Sequence, residues 1–266
     1  MTNTCEPPRP DYRIDGFEAA TEQTEDDFHS VTLSDDMLVP LAEHHSADDR
    51  DTYLLLYDRA ATWAIPGTAE YVTLHINRDT EQRTFGFAHE RHPVIPLAQN
   101  WLIRQGCPAE STEPNHGPRP ADALTTRLEG LLRTNPDSRY EVIDHYTDNP
   151  YSPYTGSEVR TLVHDSHPDS AMAPYRLFLE ETTTDHQSYA VREGAFSTAQ
   201  AAKTWAWSGP LRSRWLPTRC ARLSAGQSLL ALARRSRPTA SPCPRAAVAT
   251  PRSAAAAPSR VRRSAP

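Results

Sequence analysis

A constant offset of 104 residues superimposes two stretches of this chain and so commits it to a fold built from two similar parts. The offset pairs Tyr71 with Tyr175, Phe85 with Tyr189, Phe87 with Val191, Ala98 with Ala202 and Trp101 with Trp205, and no gap is needed between residues 71 and 101. Three of these pairs are identical, so the match rests on the order of residue types more than on identity. Upstream, Leu56-Tyr57-Asp58 matches Val163-His164-Asp165 once three residues are dropped.

Clusters of β-branched and aromatic residues predict strands at 28–33, 53–57, 71–76 and 84–89 in the first half. A helix follows, with Val94, Leu97, Ala98, Trp101 and Leu102 on one face, His92-Pro93 before it and Gly106 at its C-cap. The second half repeats the order with strands at 140–145, 159–164, 175–180 and 188–192. Its helix opens on a capping-box pattern, Ser197 with Gln200, has Phe196 placed to staple onto Ala201, and stops at Gly209-Pro210. The expected class is α+β: two similar antiparallel four-strand units, each with one sheet face covered by its C-terminal helix. Residues 1–27 form an acidic, largely flexible segment, 28–106 the first unit and 138–208 the second. Residues 107–137 form a linker whose one amphipathic helix carries Leu124, Leu128, Leu131 and Leu132.

Charge divides the chain differently. All 34 acidic residues lie at or before Glu193, so residues 1–202 hold 15 basic against 34 acidic side chains, a net −19, while residues 203–266 carry +13. From Gly209 the chain is Arg, Ala, Pro and Ser with eight prolines and no acid, which leaves too little apolar surface for a core and predicts a disordered basic tail over 209–266. Such a tail holds phosphates by counterion release, although no aromatic follows Trp215 to stack on bases. The same composition also arises from GC-rich coding DNA read in a shifted frame, with no selected role. Around Met1 the chain is polar and proline-rich, no apolar run reaches membrane-spanning length, and a cytosolic location follows. Cys5, Cys107, Cys220 and Cys243 have no metal-site or disulfide spacing and read as free thiols.

Residues 53–70, YLLLYDRAATWAIPGTAE, carry a hydrophobic strand followed by W-x-[LI]-P-G, and this resembles the opening of a Nudix hydrolase. The resemblance implies a glutamate six residues after Gly67 and then a carboxylate-rich helix that holds divalent ions. Thr73 stands at that position, and the residues around it alternate as a strand, so the catalytic half is absent. His75, His89 and His92 with Glu90 would suit a metal only if they converged. Alternation places His75 and His89 on one face at opposite ends of a hairpin, so hydrogen-bonded or solvated histidines are expected. His164-Asp165-Ser166-His167 has the letters of a catalytic triad, but neighbours along one strand point apart, and it reads as a polar turn. Tyr146, Tyr151 and Tyr154 lie in a proline-rich loop able to anchor a partner.

These observations point to a noncatalytic binding or regulatory module, with Trp63, Tyr151 and Tyr154 as candidate ligand or partner contacts. No cofactor fingerprint and no metal set are present. The sequence does not name a partner; a protein is one candidate, and nucleic acid is another through the basic tail alone. The alternative is a metal-dependent hydrolase of nucleoside-diphosphate type.

Overall fold

The same local chemistry starts each half. Thr21 and Asp122 cap a helix by accepting from the backbone N–H three residues on, Thr24 at 3.1 Å and Thr125 at 2.8 Å. The computed structural model describes residues 9–148, 157–183 and 187–207. The first unit runs β1 (Glu18–Ala19), α1 (Glu22–Thr32), β2 (Leu38–His45), β3 (Asp51–Asp58), a single turn α2 (Ala61–Ala64), β4 (Tyr71–Asp79), β5 (Thr84–His92) and α3 (Ile95–Arg104). The second runs β6 (Arg119–Pro120), α4 (Ala123–Thr134), β7 (Tyr140–Asp148), β8 (Glu158–Asp165), β9 (Tyr175–Thr182), β10 (Ser188–Phe196) and α5 (Ala199–Trp207). The class is α+β, with two similar units.

In each unit four strands form an antiparallel meander, and a two-residue strand adds in parallel to the last of them, giving the orders β1-β5-β4-β3-β2 and β6-β10-β9-β8-β7. The likeness extends to irregular detail. Both edge strands carry a bulge, between Pro40 and Ala42 and between Val142 and Asp144. The N–H of Asp58 donates to Glu70 O (2.8 Å) as that of Asp165 donates to Pro174 O (2.7 Å). The matching offset is 101 at the helix caps, 102 at the bulges, 107 at these aspartates and 104 from β4 onward.

Both faces of both sheets are covered. Leu54, Leu56, Val72 and Leu74 pack towards α1, and Leu55 packs towards Ala98 and Leu102 of α3. Val94 and Leu97 of α3 join Leu128 and Leu132 of α4 over Val159, Val163, Phe178 and Val191 of the second sheet. Ala202 and Ala206 of α5 close its far face on Leu162 and Leu177. The layers are therefore α1, sheet one, α3 with α4, sheet two, α5. The outer helices lack the apolar residues that mate α3 with α4. Where α4 has Leu124 and Leu128, α1 has Gln23 and Asp27, hydrogen-bonded to each other at 2.8 Å. Where α3 has Val94 and Leu97, α5 has Thr198 and Ala201. Polar outer faces of this kind end a stack of repeats.

Four sequence expectations change. Residues 28–33 lie mostly in α1, because the Thr21 cap, acidic Glu22 and Glu25 in the first turn and the helical spacing of Phe28 and Val31 outweigh their β-propensity. The first edge strand is instead β2, whose Pro40 falls at the bulge, where a lost N–H costs no ladder bond. The N-terminal segment is anchored from residue 9. Buried Arg78 donates through Nη1 to the carbonyls of Tyr12 and Arg13 (both 3.3 Å) and through Nε to that of Asp49 (2.8 Å). The helix of the 107–137 linker is α4, the counterpart of α1. The predicted basic tail, 209–266, lies outside the described residues. No helix among the described residues is long and apolar enough to cross a membrane.

Candidate ligand crevice

The parallel strand, the capped helix and the last meander strand meet in both units, and at each meeting point the surface is concave. In the first unit this hollow measures about 770 Å³, with Phe28 and Phe85 on its floor and Glu18, Glu25 and Asp26 at its rim. Phe28 and Phe85 meet edge to face at 5.4 Å, and Ile76, on the same sheet face, is fully buried. The counterpart in the second unit is a crevice of about 400 Å³, roofed by Ile95 and Gln99 of α3 and by the proline-rich stretch 113–120. Gln99 donates to Thr112 O at 3.0 Å and so ties the roof to α3.

At the crevice floor the hydrocarbon is gone. Phe28, Ile76 and Phe85 correspond to Glu129, Glu180 and Tyr189. The Tyr189 hydroxyl donates to Oε1 of Glu129, and Arg133, one turn along α4, donates to Glu113 at the rim. Burial pushes the Glu129 carboxyl up, against the hydrogen bond from Tyr189, which holds it down. Glu180 is pushed up to about 8, first by burial and then by the neighbouring charges of Glu129 and Glu70. Burial also raises the phenols, Tyr71 further by Glu180 and Glu70 and Tyr189 further by its bond to Glu129. The crevice is thus lined by two carboxylates and two phenols beside the guanidinium groups of Arg119 and Arg133.

No protein-family model, curated protein or solved structure matches the chain. Of the residues singled out in the sequence, Trp63 lies in α2, 52% exposed and outside the crevice lining, and Tyr151 and Tyr154 fall outside the described residues. The Nudix-like loop has a different task. Gly67, at φ +86°, offers its carbonyl to the N–H of Thr147 on β7 (3.3 Å), and Tyr146 packs so closely that a Cβ at Gly67 would lie 2.6 Å from its Cδ2. The loop joins the two units. Thr73 lies within β4 and donates to Glu90 O (3.2 Å). Gly67→Ala is expected to cost about 1–3 kcal/mol through positive φ and overpacking. Gly86→Ala, whose Cβ would meet nothing nearer than a carbonyl at 3.9 Å, serves as its control in thermal unfolding.

The histidines separate. The register places His75 opposite Ala88 and Leu74 opposite His89, so His75 and His89 point to opposite faces, which corrects the alternation argument. His75 bonds Asp51 (2.8 Å) and stacks on Tyr53 (4.6 Å). His92 is buried against Thr73 (3.0 Å), and burial lowers it to about 4. Among the described residues one trio, Asp11, Glu43 and His45, has metal-like convergence, with ligand atoms within 4.8 Å of one another. Arg13 already donates to Asp11, and His45 bonds Glu43 and Thr52. Cys107 is a buried free thiol raised to about 12 by burial and Glu110.

Sequence reasoning missed Glu129, Glu180 and Tyr189. The signal was present: Glu129 shares the α4 face with Thr125, Leu128 and Leu132, and Glu180 interrupts the apolar run Leu177-Phe178-Leu179. A charged residue on a core-facing stripe needs a reason.

Proposed function

We propose that the protein is a noncatalytic binding module whose ligand seat is the crevice between α3, α4 and the second sheet. One observation carries this reading. Positions that one unit fills with Phe28, Ile76 and Phe85 hold two carboxylates and a phenol in the other, beside a crevice of about 400 Å³. Pockets of roughly 300–1,000 Å³ with a few convergent polar groups suit small ligands or single side chains. The hydroxyls of the described lining belong to Tyr71, Thr126, Thr182 and Tyr189 and its imidazole to His116.

Methyl-resolved NMR on the isoleucine-labelled full chain tests the reading. Ile95 reports on the crevice, and Ile76 in the core serves as control. Hits from a small-fragment library are expected to shift Ile95 and leave Ile76 in place. A library whose hits all spare Ile95 would remove the crevice from consideration.

A further inference from the structure

One donor in the crevice is stranded. The Nε of Arg133 is shut off from solvent and meets no acceptor among the described residues. Its Nη1 is taken by Glu113, and its Nη2 has no bond among the described residues. The Nε–Nη2 edge of this guanidinium is therefore unpaired, although the side chain is 31% exposed and lines the crevice. A buried donor left without an acceptor is costly, and a ligand that supplies one offsets that cost. A second guanidinium lines the same crevice. Arg119, exposed on β6, has no side-chain hydrogen bond or ion pair among the described residues.

The same protein shows what such an edge holds. Arg139 presents its Nε and Nη2 to Asp165 and binds both carboxylate oxygens, at 2.6 and 2.7 Å. Planar guanidinium donors match a carboxylate or a phosphate in this two-bond geometry. Charge chooses between them. Glu113 and Glu129 also line the crevice, and against Arg119 and Arg133 they leave it formally neutral once Glu180, pushed up to about 8, holds its proton at neutral pH. A carboxylate adds one negative charge beside those glutamates and a phosphate up to about two, so the repulsion is larger for phosphate. The walls suit an acid with an apolar body, since Ile95 and Pro96 of α3 and the ring of Tyr71 offer it hydrocarbon. Resting on the reading of the crevice as a ligand seat, we infer that it takes the carboxylate of a small organic acid, held on the Nε–Nη2 edge of Arg133 with Arg119 as the second cation.

The experiment is a titration of the full chain at pH 7 with 3-phenylpropionate, followed by the isoleucine methyls. The acid is expected to shift Ile95, to leave Ile76 in place, and to bind about tenfold more tightly than its neutral isostere 3-phenylpropionamide. Arg133→Lys keeps the charge but has no Nε–Nη2 edge, so it should weaken the acid by about fivefold or more and leave the amide unchanged. Arg119→Gln, on the exposed short strand, should weaken the acid by about threefold, and it carries the test if the Arg133 variant fails to fold.

Equal binding of acid and amide at Ile95, or no binding of the acid, would overturn the carboxylate assignment and leave the crevice as a seat for the fragment hits. Shifts of Ile103 without Ile95 would put the acid in the neighbouring hollow that Arg133 also lines, and would overturn the placement. Inorganic phosphate binding more tightly than the acid at Ile95 would overturn the choice of a singly charged group. N-acetyl-aspartate amide, which presents the carboxylate as a protein does, is expected to bind more weakly than 3-phenylpropionate. Tighter binding of that probe would replace the small acid by an acidic side chain of a partner protein.

Discussion

Asp165→Ala is expected to lower the unfolding free energy by about 3–5 kcal/mol, the cost of stranding a buried charge by removing its partner. The Asp165 side chain is fully buried at the end of β8. Arg139 grips it with two bonds, Nε to Oδ1 at 2.6 Å and Nη2 to Oδ2 at 2.7 Å, while Ser170 donates at 2.5 Å and the His167 N–H at 3.0 Å. Arg176 adds a fifth contact at 3.5 Å. Burial alone would raise this carboxyl, but the bonds from Arg139, Ser170 and His167 prevail and hold it well below the usual carboxylate range. Alanine at this position leaves two guanidiniums largely enclosed.

Asp58, its counterpart in the first unit, provides the control. It accepts from the Ala60 N–H (2.9 Å) as Asp165 does from His167, but its one arginine, Arg91 at 2.7 Å, is 43% exposed. Asp58→Ala is therefore expected to cost only about 1–2 kcal/mol, because water solvates Arg91 once it is released. Replacing Asp165 and Arg139 together by Leu and Met should recover part of the loss, since Arg176 retains Glu193 at 3.0 Å. Urea unfolding at pH 7 gives all four values. A loss at Asp165 no larger than that at Asp58 would refute this account of the cluster.

The Asp165 cluster also shows how far the sequence could be read. Both halves of the Leu56-Tyr57-Asp58 and Val163-His164-Asp165 match were visible, because hydrophobic alternation is local and survives divergence. Arg139, Ser170 and Arg176 were not visible as its partners, because they are brought together only by the β7–β8–β9 register. The same division holds elsewhere. Seven of the eight meander strands announced themselves through β-branched and aromatic residues, and α3 and α4 through their apolar stripes. The missing strand, β2, hid behind Pro40, and the two-residue strands β1 and β6 carry no periodicity at all. At α5 the cap is Thr198, whose Oγ1 accepts from the Ala201 N–H at 3.1 Å, one residue later than the Ser197 pattern suggested. Ser197 and Thr198 are both capping residues, and only the path of β10 into the helix chooses between them.

The crevice was hidden for a further reason. Composition put an acidic excess on the body as a whole, and charge counts cannot distinguish a carboxylate on an outer surface from Glu180 in the crevice. The duplication supplies what counting lacks, an internal reference. Against Ile76, Phe28 and Phe85, the residues Glu180, Glu129 and Tyr189 become conspicuous, since the first unit demonstrates that hydrocarbon fits those places.

That substitution has a thermodynamic signature in the ligand-free protein. A carboxyl raised from its ordinary value of 4.5 to about 8 contributes stability that is complete below pH 4.5 and is lost as pH rises through 8, because the unfolded chain ionises first. His92 acts in the opposite direction on the acid side. Lowered from 6.5 to about 4, it costs stability as pH falls from 6.5, where the unfolded chain takes up a proton that the folded one refuses. The two slopes oppose each other between pH 4.5 and 6.5, where His145, also lowered by burial, adds to that of His92, and of these groups Glu180 alone acts between 6.5 and 8. Across that upper window the protein should lose about 2 kcal/mol, at about 1.4 kcal/mol per pH unit. Glu180→Gln keeps the shape and has no proton to lose, so its stability should stay level there and exceed that of the parent above pH 8. Chemical unfolding at half-unit steps from pH 5 to 9 measures both curves. Parallel curves for parent and variant would mean that Glu180 ionises as freely as a surface glutamate, and that burial in the crevice does not perturb it.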